Sequence, residues 1–513
     1  MAPDLILAAD FGTSALKLGA VRQDMTLAAT AHAAYPLHLP APGQAEQNPD
    51  DWWQALITAT QALHHQIPDL AQRVGAISLS AQMAGVIALD DAGRTLRPAL
   101  VWLDKRSAPI LQAQIARWPR IFGYNMGFVA RSLRLANGAP SLNGMDPPGK
   151  MLWIAAHEPE IYARTRWFVD VKDWLVHRAT GVIATTAESA NLTWAMDTRA
   201  GHERWSAPLS RALGIDQTRL PPIIAGDAQA GELTAEAAQA LGLEQALPVM
   251  GGTGDVTATA LGTGAVGNGK LHICLSSSAW VAGFFPRRVI NPFAAYATLT
   301  SALDNRPLLI ATQECAGAAL GWLAALHGQK PDSFYEALGA WQPDDPFLLP
   351  WFAGERVPVD NERVRGVFAG LSLTHDLAAL KRAALEGVAL NTAWAFHKVA
   401  ARERDVHVTG AIPVTGGAAA NPALVQCLAD ALDHPLHVGE TAFTGVRGAA
   451  TLAAPLLGWY RDAWAAASAP IPEQRLITPD PARVRALKAR AARLAPLRKT
   501  ILAFHQKTGA RDD

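Results

Sequence analysis

Two segments of the chain pass from an apolar run through a short polar turn into a second extended run. Residues 5–9 (LILAA) lead into DFGTS, and LKLGAV then resumes the extended pattern. Much later, residues 272–275 (HICL) end in three serines before AWVAGFF. Short apolar runs bounded by turn residues are typical of buried strands. Each segment therefore predicts a β-hairpin, and their recurrence predicts one copy of a shared architecture in each half of the chain.

Apolar residues recur at helical spacing between and after these hairpins. The predicted helices cover residues 50–67, 147–165, 171–181, 375–403, 423–432 and 447–458. We expect an aspartate to cap the first helix and Gly181 to end the third. Strands and helices in both halves predict an α/β fold. A new apolar run opens at LPVMGG, so we expect one domain over residues 1–248 and a second over residues 249–513.

Composition narrows the class of protein. The chain has 513 residues, 50% of them hydrophobic, which fits two or more domains with sizeable cores. A formal net charge of zero gives no reason to expect nucleic acid or an anionic membrane as a partner. Three widely spaced cysteines and an amino terminus without a basic region favour a cytoplasmic protein. The basic tail, residues 481–507, is expected to form a solvated helix on the last domain.

The glycine-rich stretch GGTGDVTATALGTGAVGNGK resembles two nucleotide motifs but satisfies neither. A P-loop requires Ser or Thr after its lysine, and Leu271 follows Lys270. A dinucleotide fingerprint requires an acidic residue about 20 positions further on. No Asp or Glu occurs between Asp255 and Asp304. We interpret the glycines after Asp255 as a helix end and a turn.

The tip of the first hairpin combines a carboxylate with small residues. Asp10 ends the strand, where it is suited to hold Mg²⁺ directly or through water. The tip residues Gly12, Thr13 and Ser14 offer closely spaced N–H groups and hydroxyls that suit phosphate oxygens. The alternative is an ordinary turn, in which Asp and Gly are common.

Two further polar clusters follow predicted strands in the first half. They are SAQMAG (residues 80–85) and VWLDKRS (residues 101–107), at strand ends where α/β proteins bind ligands. Gln82, Asp104 and Arg106 offer hydrogen bonds to the hydroxyls of a polyol, and Trp102 offers a stacking surface. Each cluster alone is equally explained as a surface loop.

These motifs, in their order along the chain, resemble the FGGY carbohydrate kinases, and the xylulokinase-like members most. EQNPDDWW (residues 46–53) and MDPPGKMLWIAAHEPE (residues 145–160) fit the same family. In the second half, RGVFAGLSLTHDLAALKRAALEGVA (residues 365–389) resembles a family signature, and VTGGAAANPALVQCLADAL (residues 414–432) its adenine-side turn. The resemblance extends from residue 5 to about residue 455.

The resemblance implies two actin-like, ribonuclease-H-like domains flanking a deep ligand cleft. It implies ATP-dependent phosphorylation of a small sugar or polyol, with a ketopentose such as xylulose as the expected acceptor and ATP and Mg²⁺ as cofactors. Asp255 matches the catalytic aspartate and, with Asp10, a metal site. The implied sugar contacts are Gln82, Met83, Trp102, Asp104 and Asp255. The implied nucleotide contacts are Gly12, Thr13, Ser14, Ser276, Ser277, Ser278, Gly317, Gly416, Gly417 and Asn421.

Three positions depart from the family pattern. Ser276 to Ser278 stand where Gly-Thr is more common, and Ala84 and Val256 stand where xylulokinases commonly have His and Asn. The last two changes remove hydrogen-bonding groups, so another pentulose or a pentitol remains open. A non-sugar ATPase of the actin fold and a sugar-sensing binding protein are the alternatives from other classes. A homodimer is one option for the oligomeric state.

Overall fold

The computed structural model describes residues 3–439, 442–472 and 474–508. The chain forms two compact units. Unit 1 comprises Met1–Val266, Thr298–Leu308 and Phe443–Ile471, and unit 2 comprises Gly267–Ala297, Leu309–Ala442 and Pro472–Asp513. The division of the chain into domains 1–248 and 249–513 stays a prediction.

The main sheet of unit 1 has seven strands. They are β1 (Leu5–Phe11), β2 (Ala15–Arg22), β3 (Leu27–Ala34), β4 (Val74–Ala81), β5 (Gln229–Glu232), β6 (Pro248–Met250) and β7 (Thr253–Gly254). Their order is β5-β6-β4-β1-β2-β3, and β7 also pairs with β4. β1 is antiparallel to β2, which confirms the first predicted hairpin. β1 and β7 are both parallel to β4, so the carboxyl ends of these three strands lie at one edge of the sheet.

Side chains alternate between the two faces of β1, as the period of a strand requires. Leu5, Leu7 and Ala9 belong to a core cluster shared with the helices Pro49–Gln66 and Val171–Thr180. Ile6 and Ala8 belong to another cluster, which includes apolar residues of the late helix Thr444–Ala453. One face of the first sheet is therefore covered by a segment from the end of the chain.

The remaining elements of unit 1 are helices and small two-stranded sheets. The helices are Pro49–Gln66, Leu70–Arg73, Ala108–Ile115, Met126–Ala136, Pro147–His157, Pro159–Arg164, Val171–Thr180, Ala187–Leu192, Ala207–Leu213, Ala235–Leu241, Asp255–Gly262, Thr444–Ala453 and Ala463–Ala467, with a 3₁₀ turn at Gln217–Arg219. The strand pairs are Glu46–Gln47 with Ala99–Leu100, Ile87–Leu89 with Trp167–Val169, Arg120–Ile121 with Tyr124–Asn125, Thr185–Thr186 with Ile223–Ile224, and Met196–Asp197 with Arg204–Trp205.

Three predicted helix boundaries are corrected or confirmed by the structure. The cap of the first helix is Asn48, whose side chain accepts from the Asp50 N–H, and not an aspartate. The stretch 147–165 forms two helices that meet at Glu158, because Pro159 disfavours helical backbone in the residue before it. Gly181 ends its helix at a φ of 76°, in the left-handed region, as predicted.

The main sheet of unit 2 has eight strands. They are β8 (Leu271–Leu275), β9 (Ala279–Phe284), β10 (Ile290–Asn291), β11 (Tyr296–Thr300), β12 (Pro307–Gln313), β13 (Ile412–Thr415), β14 (Leu436–Val438) and β15 (Arg475–Ile477). Their order is β10-β11-β12-β9-β8-β13-β14-β15. β8 is antiparallel to β9, which confirms the second predicted hairpin, and parallel to β13.

Five helices among the described residues of unit 2 accompany this sheet, and they range from 4 to 28 residues in length. They are Gly317–Leu326, Pro331–Phe334, Leu377–Arg402, Pro422–Leu432 and Pro481–Thr508, with a 3₁₀ turn at Gly417–Ala420 and a small sheet of Phe347–Leu349 and Val367–Ala369. Leu487 and Leu494 of the last helix are buried with Leu424 and Leu428, which confirms that the tail packs on this unit. Among the described residues, every helix is too short or too polar to span a bilayer.

Candidate active site

The carboxyl ends of β1, β4 and β7 place several predicted residues along one edge of the sheet in unit 1. Asp10 lies opposite Ser80 on one side of β4, and Thr253 lies opposite Ser80 on the other. The Ser80 hydroxyl donates to Asp10 Oδ1 at 3.1 Å. Asp255 begins the helix that follows β7. The two predicted metal ligands therefore stand at strand ends that flank the same central strand.

The tip of the first hairpin is fixed by three aromatic or amide side chains. Tyr35 donates its hydroxyl to the Gly12 carbonyl. Gln47 donates to the Thr13 carbonyl at 2.8 Å, and the Trp102 indole N–H donates to Thr13 Oγ1 at 2.9 Å. Ser14 is exposed. The predicted phosphate tip and the predicted stacking residue Trp102 are thus in direct contact.

The loop after β4 is tied to the same tip. Gln82 is buried, and its amide nitrogen donates to Gln47 Oε1 at 2.7 Å, so one glutamine links Gln82 to Thr13. Met83 lies against Gly254, where a Cβ would come within 2.4 Å of the Met83 sulfur. A side chain at position 254 would therefore crowd Met83, which lies beside the residue that precedes Asp255.

Asp104 is engaged within the protein. It is fully buried, and Oδ2 accepts from the Ala45 N–H at 2.7 Å and from Arg106 Nε at 2.8 Å. Oδ1 accepts from the Arg106 N–H at 3.1 Å. Arg106 also pairs with Glu46 at 2.8 Å. These contacts stabilise the loop that carries Trp102, and direct contact of Asp104 with a sugar stays a prediction.

Lys150 connects the two loops that carry the predicted sugar contacts. Its fully buried ammonium group donates to the Ala84 carbonyl at 2.7 Å and to the Val101 carbonyl at 2.8 Å. Burial lowers the pKa of Lys150 to about 8, although the carboxylates of Asp104 and Asp170, among others, oppose this shift. Lys150 stands within the family motif at residues 145–160, and the sequence alone predicts no role for it.

Asp255 lies among other carboxylates. Its pKa is raised to about 8, chiefly by burial and also by the negative charges of Asp10, Glu188 and Asp170, against a hydrogen bond from the Val256 N–H. Burial also raises the pKa of Asp10, partly opposed by Lys17 and by the Ser80 hydrogen bond. Negative charge therefore accumulates at this edge of the sheet, and a bound cation would stabilise the ionised form of both aspartates.

Oxygen ligands of this kind fit Mg²⁺, which is usually held by one or two carboxylates together with water and substrate phosphates. In the part of the chain that the structure describes, no group of three or more Asp, Glu, His or Cys side chains forms a complete metal site. Asp10 and Asp255 supply carboxylates of this kind, and their role as metal ligands stays a prediction.

The predicted nucleotide residues of unit 2 also come together. Ser276 to Ser278 form the turn between β8 and β9, closed by a bond of 2.8 Å from the Ser276 N–H to the Ser278 carbonyl. The Gly317 N–H donates to the Ser276 carbonyl at 2.8 Å, and a Cβ on Gly317 would come within 2.5 Å of that oxygen. The helix that Gly317 begins therefore packs directly on the serine turn.

Gly416 and Gly417 follow β13, which is parallel to β8. Gly416 has a φ of 94°, and a Cβ there would come within 2.3 Å of the Leu275 carbonyl. At Gly417 a Cβ would meet no atom within 4 Å, so the backbone is open on that side. Asn421 caps the next helix by accepting from the Leu424 N–H at 3.0 Å. These residues form an open backbone surface beside the serine turn.

Comparisons with known proteins identify the class of protein to which this chain belongs. Residues 5–262 match the N-terminal domain of the FGGY family of carbohydrate kinases, and residues 286–456 match its C-terminal domain. The chain belongs to this family, and the protein is a carbohydrate kinase. The predicted fold class, α/β with two actin-like domains, is confirmed.

The relatives are similar to this chain over most of its length and of their own. The chain is 31% identical to a xylulose kinase of Escherichia coli (strain K12) over 74% of this chain and 75% of that protein. It is 28% identical to a glycerol kinase of Bradyrhizobium diazoefficiens over 89% of this chain and 90% of that protein. Among solved structures, a xyloylose kinase from Brucella ovis superimposes with a TM-score of 0.84 at 28% identity, covering 98% of this chain and 100% of that one.

Proposed function

We propose that the protein transfers the γ-phosphoryl group of ATP to a hydroxyl of a small sugar, and that the acceptor is a ketopentose such as xylulose. The observation that carries the proposal is the position of Asp255, at the start of a helix beside Met83 and in the electrostatic field of Asp10. The similarity to a protein named xylulose kinase supports the acceptor class.

Asp255 is proposed to accept the proton of the attacking hydroxyl. A carboxylate whose pKa is raised to about 8 is a stronger base than an exposed aspartate. Asp10 and Asp255 are proposed to hold Mg²⁺, which when bound neutralises charge on the phosphates. Gln82, Met83, Trp102 and Asp104 are proposed to form or support the sugar contacts.

The nucleotide is proposed to bind on both hairpin tips and on the open glycine surface. The N–H groups and hydroxyls at residues 12–14 and 276–278 suit phosphate oxygens. Gly317, Gly416, Gly417 and Asn421 are proposed to line the adenosine, because an exposed glycine backbone lets a flat base lie close. The support for this assignment is the direct packing of the Gly317 helix on the serine turn.

The reaction is proposed to take place in the cytoplasm. All three cysteines are buried thiols, which suits a reducing compartment.

The homodimer remains an option that light scattering of the purified protein tests directly.

A panel of acceptors tests the proposal. We expect ADP to form from ATP and Mg²⁺ only when a ketopentose is present, and to stop when Mg²⁺ is removed with a chelator. Another pentulose or a pentitol is the second candidate, favoured by the missing hydrogen-bonding groups at Ala84 and Val256. ADP formation that no acceptor stimulates, or sugar binding without turnover, would contradict a sugar kinase mechanism here.

Asp255→Asn tests the catalytic base. We expect kcat to fall by roughly 10²- to 10⁴-fold, because asparagine keeps the shape but cannot accept a proton. ATP affinity, measured by calorimetry, should be retained to within a few-fold, since the proposed phosphate contacts lie on other residues and Asp10 remains to hold Mg²⁺. Asp360→Asn is the matched control, because burial also raises the pKa of Asp360 but the residue lies in unit 2 outside the proposed site. Single-turnover rates within a few-fold of the wild type would exclude Asp255 as the base.

A further inference from the structure

We infer that Glu188 is a positioning residue that holds Asp255 in its reactive orientation from a separate helix. This inference rests on the proposed role of Asp255 as the catalytic base. Glu188 belongs to the short helix Ala187–Leu192, which the sequence analysis did not single out.

Glu188 receives hydrogen bonds from residues on both sides of Asp255. Its side chain is buried, with 1% of its surface exposed. Oε2 accepts from Thr253 Oγ1 at 2.8 Å and from the Gly254 N–H at 2.7 Å. Oε1 accepts from the hydroxyl of Thr257. The carboxylate therefore joins the end of β7 to the first turn of the helix that Asp255 begins.

The backbone that enters this helix has little stiffness of its own. Gly251, Gly252 and Gly254 precede Asp255, and Gly252 has a φ of 77°. Glycine leaves the backbone more conformational freedom than any other residue. The Gly254 cap also lacks a side chain to accept from the first N–H groups of the helix. Some other group has to fix the start of the helix if Asp255 is to keep one orientation.

A capping side chain at position 254 would crowd Met83. A serine or aspartate there would cap the helix well in general. Here, however, a Cβ at that position would come within 2.4 Å of the Met83 sulfur, so the Met83 side chain would have to move. Glu188 instead holds the start of the helix from another element, through the Gly254 N–H and the Thr257 hydroxyl. Its negative charge at a helix N-terminus is favourable.

Loss of these contacts should affect chemistry more than binding. A displacement of about 1 Å in a reacting group can lower a rate about 10²-fold, while ground-state contacts elsewhere persist. We therefore expect variants at Glu188 to lower kcat and to leave the KM values for sugar and ATP nearly unchanged. General destabilisation of the fold would also lower apparent kcat, by reducing the fraction of folded enzyme, so thermal unfolding and the folded fraction are measured for each variant and kcat is expressed per folded enzyme.

The experiment compares three variants in single-turnover and steady-state kinetics. Glu188→Gln keeps the shape, but its amide nitrogen cannot accept, so at least one of the three donors loses its bond. Thr257→Val removes one donor while keeping nearly the same volume. Thr60→Val is the matched control, because Thr60 is also a buried helical threonine, and its hydroxyl donates to the Leu56 carbonyl outside the proposed site. We expect kcat to fall about tenfold or more for the first two variants, on the positioning argument above, and less than twofold for the control.

The outcomes separate this inference from the proposed function. Full kcat in both Glu188→Gln and Thr257→Val would overturn the inference, and so would an equal loss in Thr60→Val. If Asp255→Asn is also fully active, the proposed base is wrong. If Asp255→Asn is inactive while the Glu188 variant is not, only the positioning role fails. Should Glu188→Gln fail to fold, Thr253→Val and Thr257→Val test the two hydroxyl bonds singly, with thermal unfolding measured for each.

Discussion

Ala84 shows how a single residue links the scaffold to specificity. Its φ is 64°, in the left-handed region that few residues other than glycine adopt readily. The peptide group that follows Ala84 is held at both of its polar atoms, because Lys150 donates to the Ala84 carbonyl and Asp170 accepts from the Gly85 N–H. The backbone at this position is therefore set by buried neighbours rather than by the Ala84 side chain. Substitution at Ala84 should alter the ligand contacts without altering the loop.

The double variant Ala84→His, Val256→Asn should shift preference toward D-xylulose. Histidine is among the residues that tolerate the left-handed region, and both changes restore polar groups common in xylulokinases. We expect the ratio of kcat/KM for D-xylulose over the best other pentulose to rise about tenfold or more, because unpaired polar groups are costly in such sites. Ala246→His is the control, since Ala246 also has a positive φ, of 59°, outside the proposed site. An unchanged ratio would show that these side chains do not face the acceptor.

At the scale of elements, the helix Thr444–Ala453 supports the helix of Asp255 through a close backbone crossing. A Cβ on Gly448 would come within 1.7 Å of the Ala258 carbonyl, and one on Gly262 within 1.9 Å of the Thr444 carbonyl. Arg447 donates to the Gly262 carbonyl at 2.9 Å. Two glycines thus let the backbones meet, and the position of the Asp255 helix depends on a segment nearly 200 residues further along the chain.

Gly448→Ala should therefore weaken both the fold and catalysis. The added methyl group meets backbone, which cannot rotate away, so we expect a loss of about 1–3 kcal/mol in the free energy of unfolding. We also expect a lower kcat, because the helix that carries Asp255 must shift. Gly127→Ala is the matched control in a helix where the nearest atom is an ordinary 3.4 Å away. The free energy of unfolding, from denaturant titration, and kcat are measured for both variants. Equal stability of Gly448→Ala and Gly127→Ala would contradict the close contact between the two helix backbones.

Turns and helix ends that carry a local sequence signal can be predicted, whereas contacts between distant residues cannot. Both hairpins are recognisable because each turn consists of small polar residues between apolar runs, and Gly181 is recognisable as a helix end. The split at Glu158 was also readable, since a proline follows it. The role of Glu188 could not be predicted from the sequence, because its partners lie 65 to 69 positions away and only folding brings them together. The same holds for the partners of Lys150.

At the scale of the whole molecule, the order of the segments along the chain differs from their grouping into two units. Residues 298–308 and 443–471 belong to unit 1 although unit 2 residues surround them in the sequence. The apolar run that opens near residue 248 carries no information about this exchange, because contacts between residues far apart in the sequence define the two units. The proposed sugar residues all lie in unit 1, and the serine turn and the open glycine surface lie in unit 2. The sugar is therefore expected to affect unit 1 alone, and the nucleotide to affect unit 2 together with the hairpin tip at residues 12–14 of unit 1.

Hydrogen–deuterium exchange with one ligand at a time tests this assignment. A ligand that binds only the folded state suppresses local opening, by about 100-fold at a concentration 100 times its Kd. Mg·ADP alone should therefore slow exchange around residues 276–278, 317–321 and 416–421, where the backbone of the serine turn and the glycine surface lies. The acceptor sugar alone should slow exchange around residues 82–85 and 101–104, the two loops joined by Lys150. The tail helix Pro481–Thr508 serves as the internal control, since it carries no proposed contact with either ligand. Protection of residues 82–85 by Mg·ADP alone, or of residues 416–421 by sugar alone, would show that the ligands are assigned to the wrong units.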